Sequence, residues 1–363
     1  MKPRRFAFLV FLIASMGAIG CTPDTPDDEP PPLQLAPTLT AQASGDSALF
    51  IGISPVDENV VWISGTGGTV GRTTDGGATW QTAVVPGADS VQFRDVHGVD
   101  AQTAYVLSIG SGGQSRIYKT TDAGQSWTLQ FTNPEPNGFF DCLDFWDPMN
   151  GLAFSDSFDG AFFIITTDDG GATWNRVPPE HLPPANPGEG SFAASGNCVI
   201  AHGDSTAWIG TGASEGNPAR VLKTTNRGRS WTVVDTPIPG GPTSGITSVP
   251  FLDDQNGAAL GGDFTKPKEY SDNVAVTSDG GQTWTLAGRP KLSGSVYGAV
   301  YVPGAPTPTL VGVGPEGVDY STDNGATWTS LDTLSHWSVG FASPRAGWAI
   351  GPEGRVTKVR LFE

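Results

Sequence analysis

Short apolar runs of four to six residues, separated by clusters of Gly, Pro, Asn and Asp, recur along most of the chain. Val91-Gln-Phe-Arg-Asp-Val96 alternates apolar and polar positions. A second kind of run places Trp after a small or apolar residue, as in Val61-Trp-Ile-Ser64, Ala207-Trp-Ile-Gly210 and Gly347-Trp-Ala-Ile350. A third kind includes Arg116-Ile-Tyr-Lys119, Phe162-Phe-Ile-Ile165, Val221-Leu-Lys223 and Val274-Ala-Val276. Runs of this length bounded by turn formers predict antiparallel strands. No long apolar stripe with helical spacing accompanies them, so helix is expected to be scarce.

The third run of most sets leads into one motif, Ser/Thr-x-Asp/Asn-x-Gly-x-Ser/Thr-Trp. It occurs six times, with the acid or amide at Asp75, Asp122, Asp169, Asn226, Asp279 and Asp323, and the ring at Trp80, Trp127, Trp174, Trp231, Trp284 and Trp328. Successive Asp/Asn positions lie 47, 47, 57, 53 and 44 residues apart. A period of this size marks repeated supersecondary units, and four short strands per unit make a propeller blade. The chemistry of the motif is that of a turn. Its Asp accepts hydrogen bonds from nearby backbone N–H groups, the Gly two residues on takes positive φ, and the Trp packs on the blade. These twelve positions are expected to be scaffold.

A seventh unit lacks the motif. Ser338-Val-Gly-Phe341, Gly347-Trp-Ala-Ile350 and Arg355-Val-Thr-Lys-Val359 supply three strands before the chain stops. Leu33-Gln-Leu-Ala-Pro-Thr-Leu39 can supply the fourth and so remove two exposed edges. The expected fold is all-β: a seven-bladed propeller of four-stranded antiparallel blades, closed by an N-terminal strand. Six blades is the alternative count.

Before the repeats, Met-Lys-Pro-Arg-Arg precedes an apolar stretch from Phe6 to Ile19 and then Gly20-Cys21. A basic start, a short apolar run and small residues before a cut site read as a secretory signal peptide. Ala18-Ile-Gly-Cys21 resembles the lipobox of bacterial lipoproteins, which implies lipidation of Cys21. Thr22 to Pro32 is acidic and Pro-rich, as expected of an extended tether. The organisation is therefore signal peptide over 1–20, tether over 21–32 and one propeller over 33–363. The expected location is the bacterial cell envelope, lipid-anchored and facing the periplasm or exterior.

Net charge is -17, which argues against nucleic acid, since phosphates call for a basic surface. Besides Cys21 the chain has Cys142 and Cys198, in equivalent parts of neighbouring repeats. A disulfide and two buried thiols are both open for them.

The motif is identified as the Asp-box, or BNR repeat, found in sialidases, sortilin-type receptors, xyloglucan-cleaving hydrolases and photosystem II stability/assembly factors. The chain resembles the last group over nearly all of residues 33–363. The carrying form is Arg72-Thr-Thr-Asp75, Lys119-Thr-Thr-Asp122 and Lys223-Thr-Thr-Asn226. That resemblance implies a monomeric binding or assembly-factor-like scaffold that holds a protein partner at a membrane surface, or an extended ligand such as a glycan. The alternative is a carbohydrate-binding or glycoside-hydrolase-like propeller related to sialidases, although the Arg-Ile-Pro sequence of sialidases is absent.

No catalytic residue, metal site or cofactor is assigned. The Gly-x-Gly strings at Gly65-Thr-Gly-Gly68 and Gly110-Ser-Gly-Gly113 have no following helix, so a dinucleotide site is not expected. Candidate ligand or partner residues lie near the inner strands: Arg94, Asp141, Asp144, His202, Tyr297 and His336. Two inserts, Pro178 to Gly190 and Phe264 to Asn273, are expected to rim the same mouth.

Overall fold

In the computed structural model of the protein, residues 32–363 are described. The segment expected to be a signal peptide, Cys21 and nearly all of the expected tether lie outside them. The described chain forms seven sheets of four strands each. Blades one to six begin with inner strands Phe50–Pro55, Phe93–Gly98, Phe140–Phe145, Val199–His202, Ser244–Ser248 and Gly298–Tyr301, and each blade then runs outward in sequence order. Blade seven takes Ser338–Ser343, Ala346–Ile350 and Arg355–Phe362 from the C-terminus and Leu35–Ala43 from the start of the propeller. The closing strand pairs antiparallel from Leu35 opposite Phe362 to Ala43 opposite Arg355. The seven-bladed fold and its N-terminal closure are as the repeats predict.

The hydrophobic core lies between blades rather than at the centre. Phe50, Val61 and Ile63 of blade one pack with Trp348, Ile350 and Val356 of blade seven. Trp62 and Val70 pack with Phe93, Val106 and Tyr118 of blade two. Strands whose two faces both meet a neighbouring blade therefore read as almost wholly apolar.

Each turn motif folds in the same way. Asp75 Oδ1 accepts from the Thr79 N–H and the Thr73 hydroxyl at 2.8 Å each, and Asp75 Oδ2 accepts the Thr79 hydroxyl at 2.6 Å. In the fourth copy Asn226 Nδ2 donates to the Ser230 hydroxyl at 2.9 Å, so an amide replaces the acid by reversing one bond. Two successive residues, not one, are left-handed: Ala123 and Gly124 have φ of 67° and 84°, and Arg227 and Gly228 have 59° and 75°. Three of the motif rings are buried (Trp231, Trp284 and Trp328), whereas Trp80, Trp127 and Trp174 are partly exposed.

The basic residue just ahead of the motif joins blades. Lys119 lies over the Tyr105 ring of its own blade and donates to Gly170 O of blade three at 2.8 Å. Lys223 does the same over Trp208 to Gly280 O at 2.7 Å, and Lys358 over Trp348 to Gly76 O at 3.0 Å. A cation held on a ring and bonded to the next turn explains Lys at these three places, the last of them in the motif-free blade seven; blades three, five and six have Thr166, Val276 and Tyr320 there.

Inner strands are also tied to one another. Asp95 accepts the Leu143 N–H at 2.7 Å, and Ser248 accepts the Ala299 N–H at 3.0 Å. At the same level Cys142 of blade three is disulfide-bonded to Cys198, just ahead of blade four, with Cα atoms 6.1 Å apart.

Candidate functional site at the channel mouth

Three inner strands carry a β-bulge at their second residue, with register shifts across Phe50/Gly52, Phe93/Asp95 and Phe140/Cys142, and a fourth shifts register at Thr247, between Ile246 and Ser248. The extra residue of a bulge leaves the ladder and is re-aimed. In blades two and three that residue is Arg94 and Asp141. Both line a depression of about 430 Å³ at the end of the channel where the inner strands begin.

A segment not singled out by the sequence pattern crosses this end of the channel. Ser191 N–H donates to Asp156 Oδ1 at 3.0 Å. Ala193 O accepts from the Arg94 guanidinium at 2.9 Å. Ser195 donates to Tyr297 O at 2.7 Å and its own carbonyl accepts from Ser338 at 3.0 Å. Asn197 O accepts the Val249 N–H at 3.1 Å. Residues 191–197 thus touch blades two, three, five, six and seven and plug the channel. Gly190 has no room for a side chain: a Cβ would lie 1.9 Å from Asp156 Oδ1.

Around the plug runs an arc of aromatic rings. Phe192 meets Phe264 at a centroid distance of 4.9 Å, Phe264 meets Tyr297 at 5.1 Å, and Tyr297 meets Trp337 at 5.0 Å. Arg94 closes the arc, its guanidinium 5.2 Å from the Trp337 ring. All four rings are partly exposed. Such rings offer large, rigid contact area at low entropic cost to a ligand.

Asp141 and Asp156 sit beneath the arc as a hydrogen-bonded carboxyl pair. Burial, reinforced by the neighbouring Asp156, pushes Asp141 well above the usual carboxylate range. Burial raises Asp156 to about 6, against the pull of the Ser191 N–H and of the Asp141 side chain. The two buried carboxyls therefore share a proton. Burial also lowers the Arg94 pKa, opposed by Tyr297 and Asp141. Glycosidase carboxyl pairs are separated by about 5–10 Å so that a sugar or water fits between them. These two carboxyls touch.

The structure brings together Arg94, Asp141 and Tyr297 but separates the other three candidates. Asp144 and His202 lie towards the far end of their inner strands: Asp144 accepts His97 Nδ1 at 2.9 Å and the Ala201 N–H at 2.7 Å, and His202 faces Asp254 at 3.6 Å. Proximity to an inner strand grouped them with Arg94 and Asp141, but the two ends of such a strand open on opposite mouths. His336 is fully buried, 3.6 Å from Asp332, so it offers nothing to a partner. Of the inserts, Phe264 belongs to the arc, whereas 178–190 is pinned down by buried Glu189. That carboxylate accepts from Arg220 Nε at 2.8 Å, from the Thr211 hydroxyl at 2.7 Å and from the Asn186 N–H at 2.8 Å. Among the described residues no group of three or more His, Cys, Asp and Glu could hold a metal ion.

No family model matches the chain. Its ring superimposes on YCF48 bound to a D1 peptide with a TM-score of 0.60 at 18% identity, covering 89% of this chain and 96% of the other. YCF48 from Cyanidioschyzon merolae gives 0.63 at 17% identity, covering 89% and 98%. The fold is that of a single YCF48-like propeller. Among curated sequences, the xyloglucanase Xgh74A of Acetivibrio thermocellus is 24% identical over 285 residues, taking in 64% of this chain and 31% of the relative. The chain thus spans about a third of that relative's length.

Proposed function

We propose that the protein is an Asp-box propeller that binds and holds a segment of a protein partner at the plugged mouth, as an assembly-factor-like scaffold. One observation carries the reading: Phe192, Phe264 and Trp337, from three separate parts of the chain, converge with Arg94 on one depression, with Tyr297 packed between Phe264 and Trp337. A surface of that kind contributes area and orientation. Similarity in fold to YCF48, one of whose structures holds a peptide, supports a peptide ligand. Lipidation at Cys21 would hold the propeller near a membrane surface, outside the cytoplasm.

The test is capture from membranes by the anchored protein, followed by identification of what travels with it. Trp337→Ala and Phe264→Ala should each weaken capture about tenfold, as expected for loss of an aromatic hot spot. Full capture by both variants would remove the arc from the site. A second reading, a glycan ligand lying across the same rings, is favoured by the similarity to a xyloglucanase. Retention of the protein on a xyloglucan column, lost in Trp337→Ala, would support it over the peptide.

A further inference from the structure

The opposite mouth has a different character. Here the inner strands end, and Pro55, Ile200, Phe251, Val300, Pro303 and Phe341 line an apolar depression of about 270 Å³. At this end of the molecule the first turns of blades one to five carry carboxylates: Asp57 and Glu58, Asp100, Asp147 (paired with Arg227 at 3.3 Å), Asp204, and Asp253 with Asp254; blades one, four and five among them also line the depression. In the corresponding turns of blades six and seven the one charged side chain is Arg345. Hydrogen bonds from the turn backbone hold Asp57, Asp100, Asp147 and Asp253 in place, through Asn59, Gln102, Met149 and Gln255 N–H respectively. Asn256 and the backbone hold Asp253 below the usual carboxylate range, so it stays ionised. The motif turns, which lie at the same end of each blade, add Asp75, Asp122, Asp169, Asp279 and Asp323.

We infer that this face docks a basic segment of a partner protein, one apolar side chain of which enters the depression while its Lys and Arg residues face the carboxylate crescent. Charge complementarity selects the occupant. A second copy of this acidic chain would bring like charges together across the crescent, and an anionic membrane would be repelled by it. The apolar floor supplies a place to bury one side chain, and the crescent raises the rate of encounter. The first turns of blades six and seven carry no carboxylate, so the basic residues of the segment lie over blades one, four and five, beside the depression. This inference is independent of the aromatic arc, which is at the other end of the channel.

A labelled peptide, Lys-Lys-Lys-Leu-Lys-Lys-Lys, and its Leu→Ser version serve as probes, read by fluorescence anisotropy on the full propeller. The Leu peptide should bind at least about tenfold tighter than the Ser peptide, and added salt should weaken both, as screening requires. The triple variant Glu58→Lys, Asp204→Lys, Asp254→Lys should lose at least about tenfold for either peptide. Pro303→Asp, at an exposed position, should abolish the Leu preference alone. Unchanged binding by the triple variant would overturn the crescent, and equal binding of the two peptides would overturn the depression. A dimer in sedimentation that the triple variant disperses would assign the face to a second copy and overturn the proposal.

Discussion

Arg94 and Asp141 occupy the same place in neighbouring blades: each is the extra residue of a β-bulge one position into its inner strand. A pattern with a period of two puts such residues on the wrong face. Here the bulge turns both towards the channel mouth, where Arg94 grips Ala193 O and Asp141 bonds Asp156. Arg94→Ala should therefore loosen residues 191–197 before it destabilises the fold. Amide exchange should quicken in that segment while the melting temperature falls by only a few degrees.

The carboxyl pair and the turn motifs should respond to pH in opposite directions. Asp156 has its pKa raised to about 6, above the unfolded value, so it stabilises the fold fully below about pH 4. That contribution disappears as pH rises through about 6. Denaturant midpoints should fall between pH 4 and 6.5, and Asp156→Asn should flatten the slope.

Asp75 and Asp279 are held at about 2, chiefly by the hydroxyls of Thr79 and Thr283. Their folded pKa is depressed, so their contribution is present above about pH 4 and lost as pH falls through about 2. Melting temperature should drop steeply in that window. Asp75→Asn should shrink the drop, because the Asn226 copy shows that an amide closes the same turn without titrating.

Reduction of Cys142–Cys198 should destabilise the ring by about 4 kcal/mol, from the entropy of the 56-residue loop it closes. Urea midpoints with and without reductant measure this. Cys142→Ser should match the reduced protein and be insensitive to reductant.

Trp328→Ala should cost about 3–5 kcal/mol, since the ring is buried and bonded to Gly288 O and Gly325 O. Trp127→Ala should cost less, about 1–3 kcal/mol, because that ring is partly exposed. Equal losses would mean that the Trp residues act through the turn and not through packing.

The blades and their closure were legible because repetition shows the same strand pattern seven times, and six Trp-ended turns set the phase. The plug was not. Ser191 to Asn197 has no periodicity, and its position is set by hydrogen bonds to five blades that only the closed ring brings together. Phe192 and Phe264 lie in loops, so no alternation marks them. Asp156 falls at the irregular end of a strand, past the register shift after Ser155. Asp141 and Asp144 share one inner strand, and the order of residues alone does not tell that one lies at its start and the other near its end, at opposite mouths.

The closing strand meets the residues that precede it at Leu35, directly opposite Phe362. A pull from those residues would act at the end of an antiparallel ladder, so the pairs would part in order, as a zip does, rather than shear together. Gln42, near the far end, also bonds Gly76 O and the Trp80 indole of blade one. Tension on the leading end would first fray blade seven and then unhook blade one. The whole circle would therefore yield at one seam, next to the point where the chain enters it.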